Sequence, residues 1–212
     1  MRREKANNYH KEASYLLGIS GSLVSAGCGK EASVWEAALM DMASGDGTRW
    51  QKGVKTFLGA GSEVREFLVS VLGKDERAVV RRQASYLLWQ CGAQEAGKEV
   101  LTHMKGETDP ATLINCMTCL KAWRTPGAGP VILKYLNHTD LEVSVNAAWC
   151  LGAFPKVSHL KERLSEIATA PGVNPRVKRG AIHSLGMISS GAKPQPRETT
   201  AKTSIGINVR PR

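Results

Sequence analysis

The chain repeats itself, and that limits its folds more than any other property. DLEVSVNAAWCLGAF, starting at Asp140, aligns with NPRVKRGAIHSLGMI, starting at Asn174, at an offset of 34 residues. The alignment pairs Val143 with Val177, Ala147 with Ala181, Leu151 with Leu185 and Gly152 with Gly186. Upstream, DERAVVRRQASYLLWQCG supplies Val80, Ala84 and Leu88, and DPATLINCMTCLKAW supplies Thr112, Cys116 and Leu120. Measured between the central small residues, the steps are 32, 31 and 34 residues. A weaker copy carries Trp50, Val54 and Leu58, and a first one Tyr9, Ala13 and Leu17, whose ASYLL recurs verbatim at 84–88. A period of this size means stacked supersecondary units, none of which can bury its apolar face alone.

Residues four before and four after a central small residue share one helical stripe, and Asp or Asn, twice followed by Pro, stands just ahead of it. Each copy therefore opens a helix. Second amphipathic segments follow at 32–43, 63–72, 94–105, 130–137 and 157–168, and Gly or Pro punctuates the joins. Helix, turn and helix recurring every thirty-odd residues predict an all-α fold, a right-handed α-α superhelix of about five helical hairpins.

The succession of Asp or Asn, Val, a small residue and Leu-Gly resembles the short bacterial form of the HEAT repeat, within the superfamily that includes armadillo repeats. The resemblance is good over 47–189 and poor over the first forty residues. The copy with Thr112 and Cys116 in place of Val and Ala departs from the pattern, so its packing is the least determined. The resemblance implies an α-solenoid scaffold and carries no particular activity with it.

The repeat domain is expected to occupy 29–189, between an N-terminal segment (1–28) and a basic tail (190–212) rich in Pro, Thr, Lys and Arg, which reads as mostly disordered. Two readings fit the N-terminal segment. Uncharged residues 15–27 end in Ser25-Ala26-Gly27 before Cys28, as in the lipobox of a lipoprotein signal peptide that leaves Cys28 lipidated. Glu4, Glu12 and the diluting glycines and serines fit an amphipathic helix instead. The first reading implies export and a membrane anchor, the second a cytoplasmic protein. The formal net charge of the whole chain is +10, from 29 Lys and Arg against 19 Asp and Glu. The tail supplies +4 of it, five bases against Glu198. Such a balance favours anionic partners in general without defining a site.

No phosphate-binding glycine loop, HExxH helix, GxSxG elbow or kinase signature occurs, so any catalysis would come from a site without a motif, and no cofactor is implied. Cys116-Met117-Thr118-Cys119 is a lone CxxC, read as buried thiols rather than a metal site. Cys119 and Cys150 hold equivalent places in adjacent repeats, roughly 8 to 10 Å apart by helix spacing. That exceeds the roughly 7 Å reach of a disulfide.

Positions two before and two after each small residue fall about 160° and 200° from it on a helical wheel, hence on the outer face. The pairs there are Lys11/Tyr15, Lys52/Thr56, Arg82/Tyr86, Ile114/Thr118, Val145/Trp149 and Arg179/His183. If the helices stack in register they form a ladder of cations and rings suited to phosphates, bases or an acidic peptide. The plainer alternative has the rings leaning into the repeat junctions. Further bases, Arg77, Arg81 and Arg82, and Arg176, Lys178 and Arg179, crowd the first turns of two helices, where cations oppose the macrodipole.

The expected function is a non-enzymatic scaffold for a protein or peptide partner, with Arg81, Arg82, Tyr86, Val145, Trp149, Lys178, Arg179 and His183 as candidate contacts. Nucleic-acid binding is the competing expectation. Some HEAT-like solenoids are DNA glycosylases, and there Trp123, Trp149, Arg82 and Arg179 would matter. A likeness to bilin-lyase HEAT subunits rests on repeat type alone.

Overall fold

The computed structural model describes residues 29–58, 60 and 63–191, so the N-terminal segment with Cys28, and the tail from 192 onward, lie outside the described residues. Within them all regular structure is helical, and the fold is all-α and repeat-like. Ten α-helices follow in order: α1 Gly29–Ala43, α2 Gly47–Leu58, α3 Glu63–Lys74, α4 Ala78–Gln90, α5 Gly97–Met104, α6 Pro110–Trp123, α7 Ala128–Lys134, α8 Leu141–Cys150, α9 Leu160–Thr169 and α10 Pro175–Ser190. None is long and apolar enough to cross a membrane.

The even-numbered helices are those opened by the repeated motif, and each packs on the next: α2 on α4, α4 on α6, α6 on α8 and α8 on α10. Among the odd-numbered helices α3 packs on α5, while α1 packs on α2 and α4. The stripe read from the sequence is the line along which these contacts form. Val80, Ala84, Leu88, Thr112, Cys116, Leu120, Val143, Ala147, Leu151, Val177 and Ala181 are all buried. Thr112 stands in a valine position without cost because its hydroxyl donates to the Asp109 carboxylate at 2.7 Å. Leu58 does not follow the stripe. It ends α2 and is 46% exposed, while Phe57, one position earlier, is fully buried.

The caps also follow the sequence. Asp109 accepts from the Thr112 N–H, Asp140 from Val143 and Asn174 from Arg176, with Pro110 and Pro175 in the first turns. The segment expected to be helical from Val157 begins at Leu160 instead. Val157 is used as a plug: a Cβ on Gly129 would lie 2.4 Å from its methyl group, so α7 and the chain before α9 meet only because residue 129 has no side chain.

Adjacent repeats are pinned by one recurring hydrogen bond. Three residues after the small position, Cys119, Cys150 and Ser184 donate to the Ser85, Met117 and Ala148 carbonyls of the preceding repeat, at 3.5, 3.7 and 2.6 Å. Ser184 also accepts from the Gly152 N–H at 2.9 Å. The thiols are free, with burial raising Cys119 well above its ordinary range and Cys150 to about 11. They act as protonated donors inside the stack, a role beyond the inert packing expected of them.

Candidate functional site

The outer ladder expected from the helical wheel is largely folded inward. Val145 is buried, and Arg82 and Tyr86 are half-buried at the α2–α4–α6 junctions. The Tyr86 ring lies 5.6 Å from that of Trp50 and 6.2 Å from that of Trp89, so its faces are occupied. Trp149, 37% exposed, packs its ring 4.5 Å from His183 in the next repeat. An isolated wheel assigns these positions to solvent, but a helix in a stack is covered on two sides, and both flanks of the stripe face neighbours. Trp123 is likewise half-buried against the core.

The arginines of α4 are spent in the joint with α6. Arg81 Nε and Nη2 each donate at 2.8 Å to the two oxygens of Glu107, and Nη1 donates to the carbonyls of Asp75 and Glu76. Arg82 donates to Asp109 at 2.9 Å. Glu107, which sequence reasoning passed over, is the centre of this joint. Its side chain is 1% exposed and also accepts from the N–H groups of Thr108 and Asp109 and from His103 Nε2 at 2.7 Å. Burial pushes its carboxyl up, yet these donors outweigh burial and hold it at about 2. The acids offset the unfavourable placement of cations in a first turn. The sequence shows a basic pair at 81/82 and acids at 107 and 109, but nothing in it links pairs that stand 26 and 27 residues apart across an intervening helix.

Cations that stay open lie elsewhere. Between the C-terminal end of α5 and α7 runs a groove of about 500 Å³ lined by Lys105, Val131, Lys134, Tyr135, Asn137, His138 and Thr139. Tyr135 fixes its floor by donating to the Met104 carbonyl at 2.7 Å. His138 Nδ1 accepts from the Asp140 N–H at 3.0 Å, so the proton of the neutral ring sits on Nε2. Lys105 and Lys134 are exposed and in no ion pair among the described residues, and no carboxylate lines the groove. The neighbouring groove between α3 and α5, about 550 Å³, contains Glu66, Glu95 and Glu99 against Arg65 and Lys74, and Arg65 is paired with Glu95. The first groove therefore presents cations that suit carboxylates or phosphates, whereas carboxylates outnumber the bases in the second.

On α10, Lys178 is half-buried and Arg179 and His183 are exposed, and neither base is in an ion pair among the described residues. Their neighbour Arg176 is engaged with both oxygens of Glu142. No three His, Cys, Asp or Glu side chains converge as a metal set among the described residues, the CxxC included. No protein-family model and no curated protein matches the chain.

Proposed function

We propose that the chain is a HEAT-like α-solenoid scaffold that holds acidic segments of partner proteins. The observation that carries this reading is the pinned stack itself: one hydrogen bond recurs at one register through three joints, a construction that extends surface rather than enclosing a pocket. The groove with Lys105, Lys134 and the Nε2 side of His138 supports an acidic occupant, since its cations meet no carboxylate among the described residues. Of the residues that the nucleic-acid reading would use, Arg82 is held by Asp109 and Trp123 is half-buried, while Arg179 and Trp149 remain exposed.

Fluorescence anisotropy with a poly-glutamate peptide and, separately, a single-stranded oligonucleotide tests this at low salt. The reading expects the peptide to bind and to weaken at least tenfold when Lys105→Glu and Lys134→Glu are combined. Tighter binding of the oligonucleotide, falling steeply with salt, would replace the scaffold with a nucleic-acid binder.

A further inference from the structure

One joint of the stack shows a charge pairing. At α4–α6 the two residues three and two before the small position meet the two residues that flank the start of the next even-numbered helix, one at the cap and one two before it. In α4 these are Arg81 and Arg82, and they meet Glu107 and Asp109. In α6 they are Leu113 and Ile114, and the next start offers His138 and Asp140. In α8 they are Ser144 and Val145, and the next start offers Gly172 and Asn174. The one basic pair among these three is followed by an acidic pair, and the two neutral pairs by starts that carry at most the capping Asp. The α2–α4 joint, one step shorter at 30 residues, uses a Trp50 to Gln83 hydrogen bond instead.

The same positions in α10 are Lys178 and Arg179, a basic pair with no acid opposite among the described residues. The apolar part of the joint is open too. One residue after the small position, Ser85, Met117 and Ala148 are each 0% exposed, whereas Ile182 in α10 is 56% exposed. Gly186, equivalent to the buried Gly152, has open space where a Cβ would be.

We propose that this face of α10 is a docking site for a partner protein's helix whose start carries an acidic pair spaced like Glu107 and Asp109. The helix takes the place that α6 takes on α4, with its acids on Lys178 and Arg179 and an apolar residue over Ile182. The inference rests on the scaffold reading and names a second, separate site on it. Charge selects the occupant: the pair on α10 is basic, and its equivalent on α4 shows which groups neutralise such a pair.

The chain contains its own probe. A labelled peptide of residues 106–123, with Cys116→Ala and Cys119→Ser to prevent oxidation, is titrated with the full chain by anisotropy. Saturable binding is expected, at least tenfold weaker with the E107Q/D109N peptide, with Lys178→Ala plus Arg179→Ala in the protein, and with Ile182→Asp. All three protein positions are at the surface or half-buried, so unchanged circular dichroism separates lost docking from lost folding. No binding, or binding indifferent to those changes, overturns the inference. So does self-association in sedimentation that Ile182→Asp abolishes, because a second copy would then own the face. The combined Lys105→Glu and Lys134→Glu variant should bind this peptide as the parent does. If poly-glutamate binds its groove while the helix peptide fails, the end face falls and the scaffold reading stands; the opposite result leaves the end face and removes the groove.

Discussion

The α4–α6 joint and the free face of α10 present the same two charges at the same register, and one is sealed while the other is open. At the sealed joint Arg81 is fully engaged and Glu107 is 1% exposed. At the open face Arg179 has no partner among the described residues and Ile182 is 56% exposed. A basic pair is therefore not by itself a binding surface. What decides its role is whether the next helix start brings acids to it, which places energetic weight on the first region and availability on the second.

The largest effect should come from breaking the sealed joint. Glu107→Ala leaves the half-buried Arg81 without its carboxylate and is expected to cost about 3–5 kcal/mol in urea unfolding. A cost below 1 kcal/mol would mean the joint is no tighter than a surface pair.

The pH dependence follows from the same residue. Glu107 is depressed from 4.5 in the unfolded chain to about 2, so its contribution is fully present above pH 4.5 and is lost as pH falls towards 2. The loss should approach about 3 kcal/mol. Asp75 and Asp109, also lowered, act in the same direction. Urea midpoints measured from pH 5 down to pH 2 should fall in the parent and fall less in Glu107→Gln.

Two glycines sharpen the contrast within α10. A Cβ at Gly180 would lie 2.8 Å from the Ala148 Cβ and 2.9 Å from Trp149 Cδ1, so Gly180→Ala should destabilise by about 1–3 kcal/mol. Gly186 meets nothing, and Gly186→Ala should stabilise by about 0.5–1 kcal/mol through helix propensity. Thermal unfolding reads both, and a loss at Gly186 would show that something already covers this face. The smallest effect belongs to Arg179→Ala, expected within about 0.5 kcal/mol of the parent.

The stack was legible because its spacing is periodic: Val80, Ala84 and Leu88 and their equivalents announce one buried stripe, and Asp109, Asp140 and Asn174 announce the starts. The joints were not, because a helical wheel treats one helix in isolation. It placed Tyr86 and Val145 outside, where neighbouring helices in fact lie, and it left Arg81 and Arg82 exposed. Their acids stand 26 and 27 residues away, beyond an intervening helix, at a distance no local pattern reports. Cys119 and Cys150 were recognised as equivalent and buried, but the carbonyls they bond belong to the previous repeat. The groove at Lys105 and Lys134 gave no signal, since it is formed by the ends of two odd-numbered helices that carry no shared motif.

The equivalence of the two basic pairs is tested most directly by a charge swap on the open face. Lys178→Glu with Arg179→Glu should abolish binding of the 106–123 peptide, and a peptide carrying Glu107→Lys with Asp109→Lys should restore it to within about threefold, or about 0.7 kcal/mol. Failure of the reversed peptide to bind the reversed protein, with the parent pair still binding, would contradict the account.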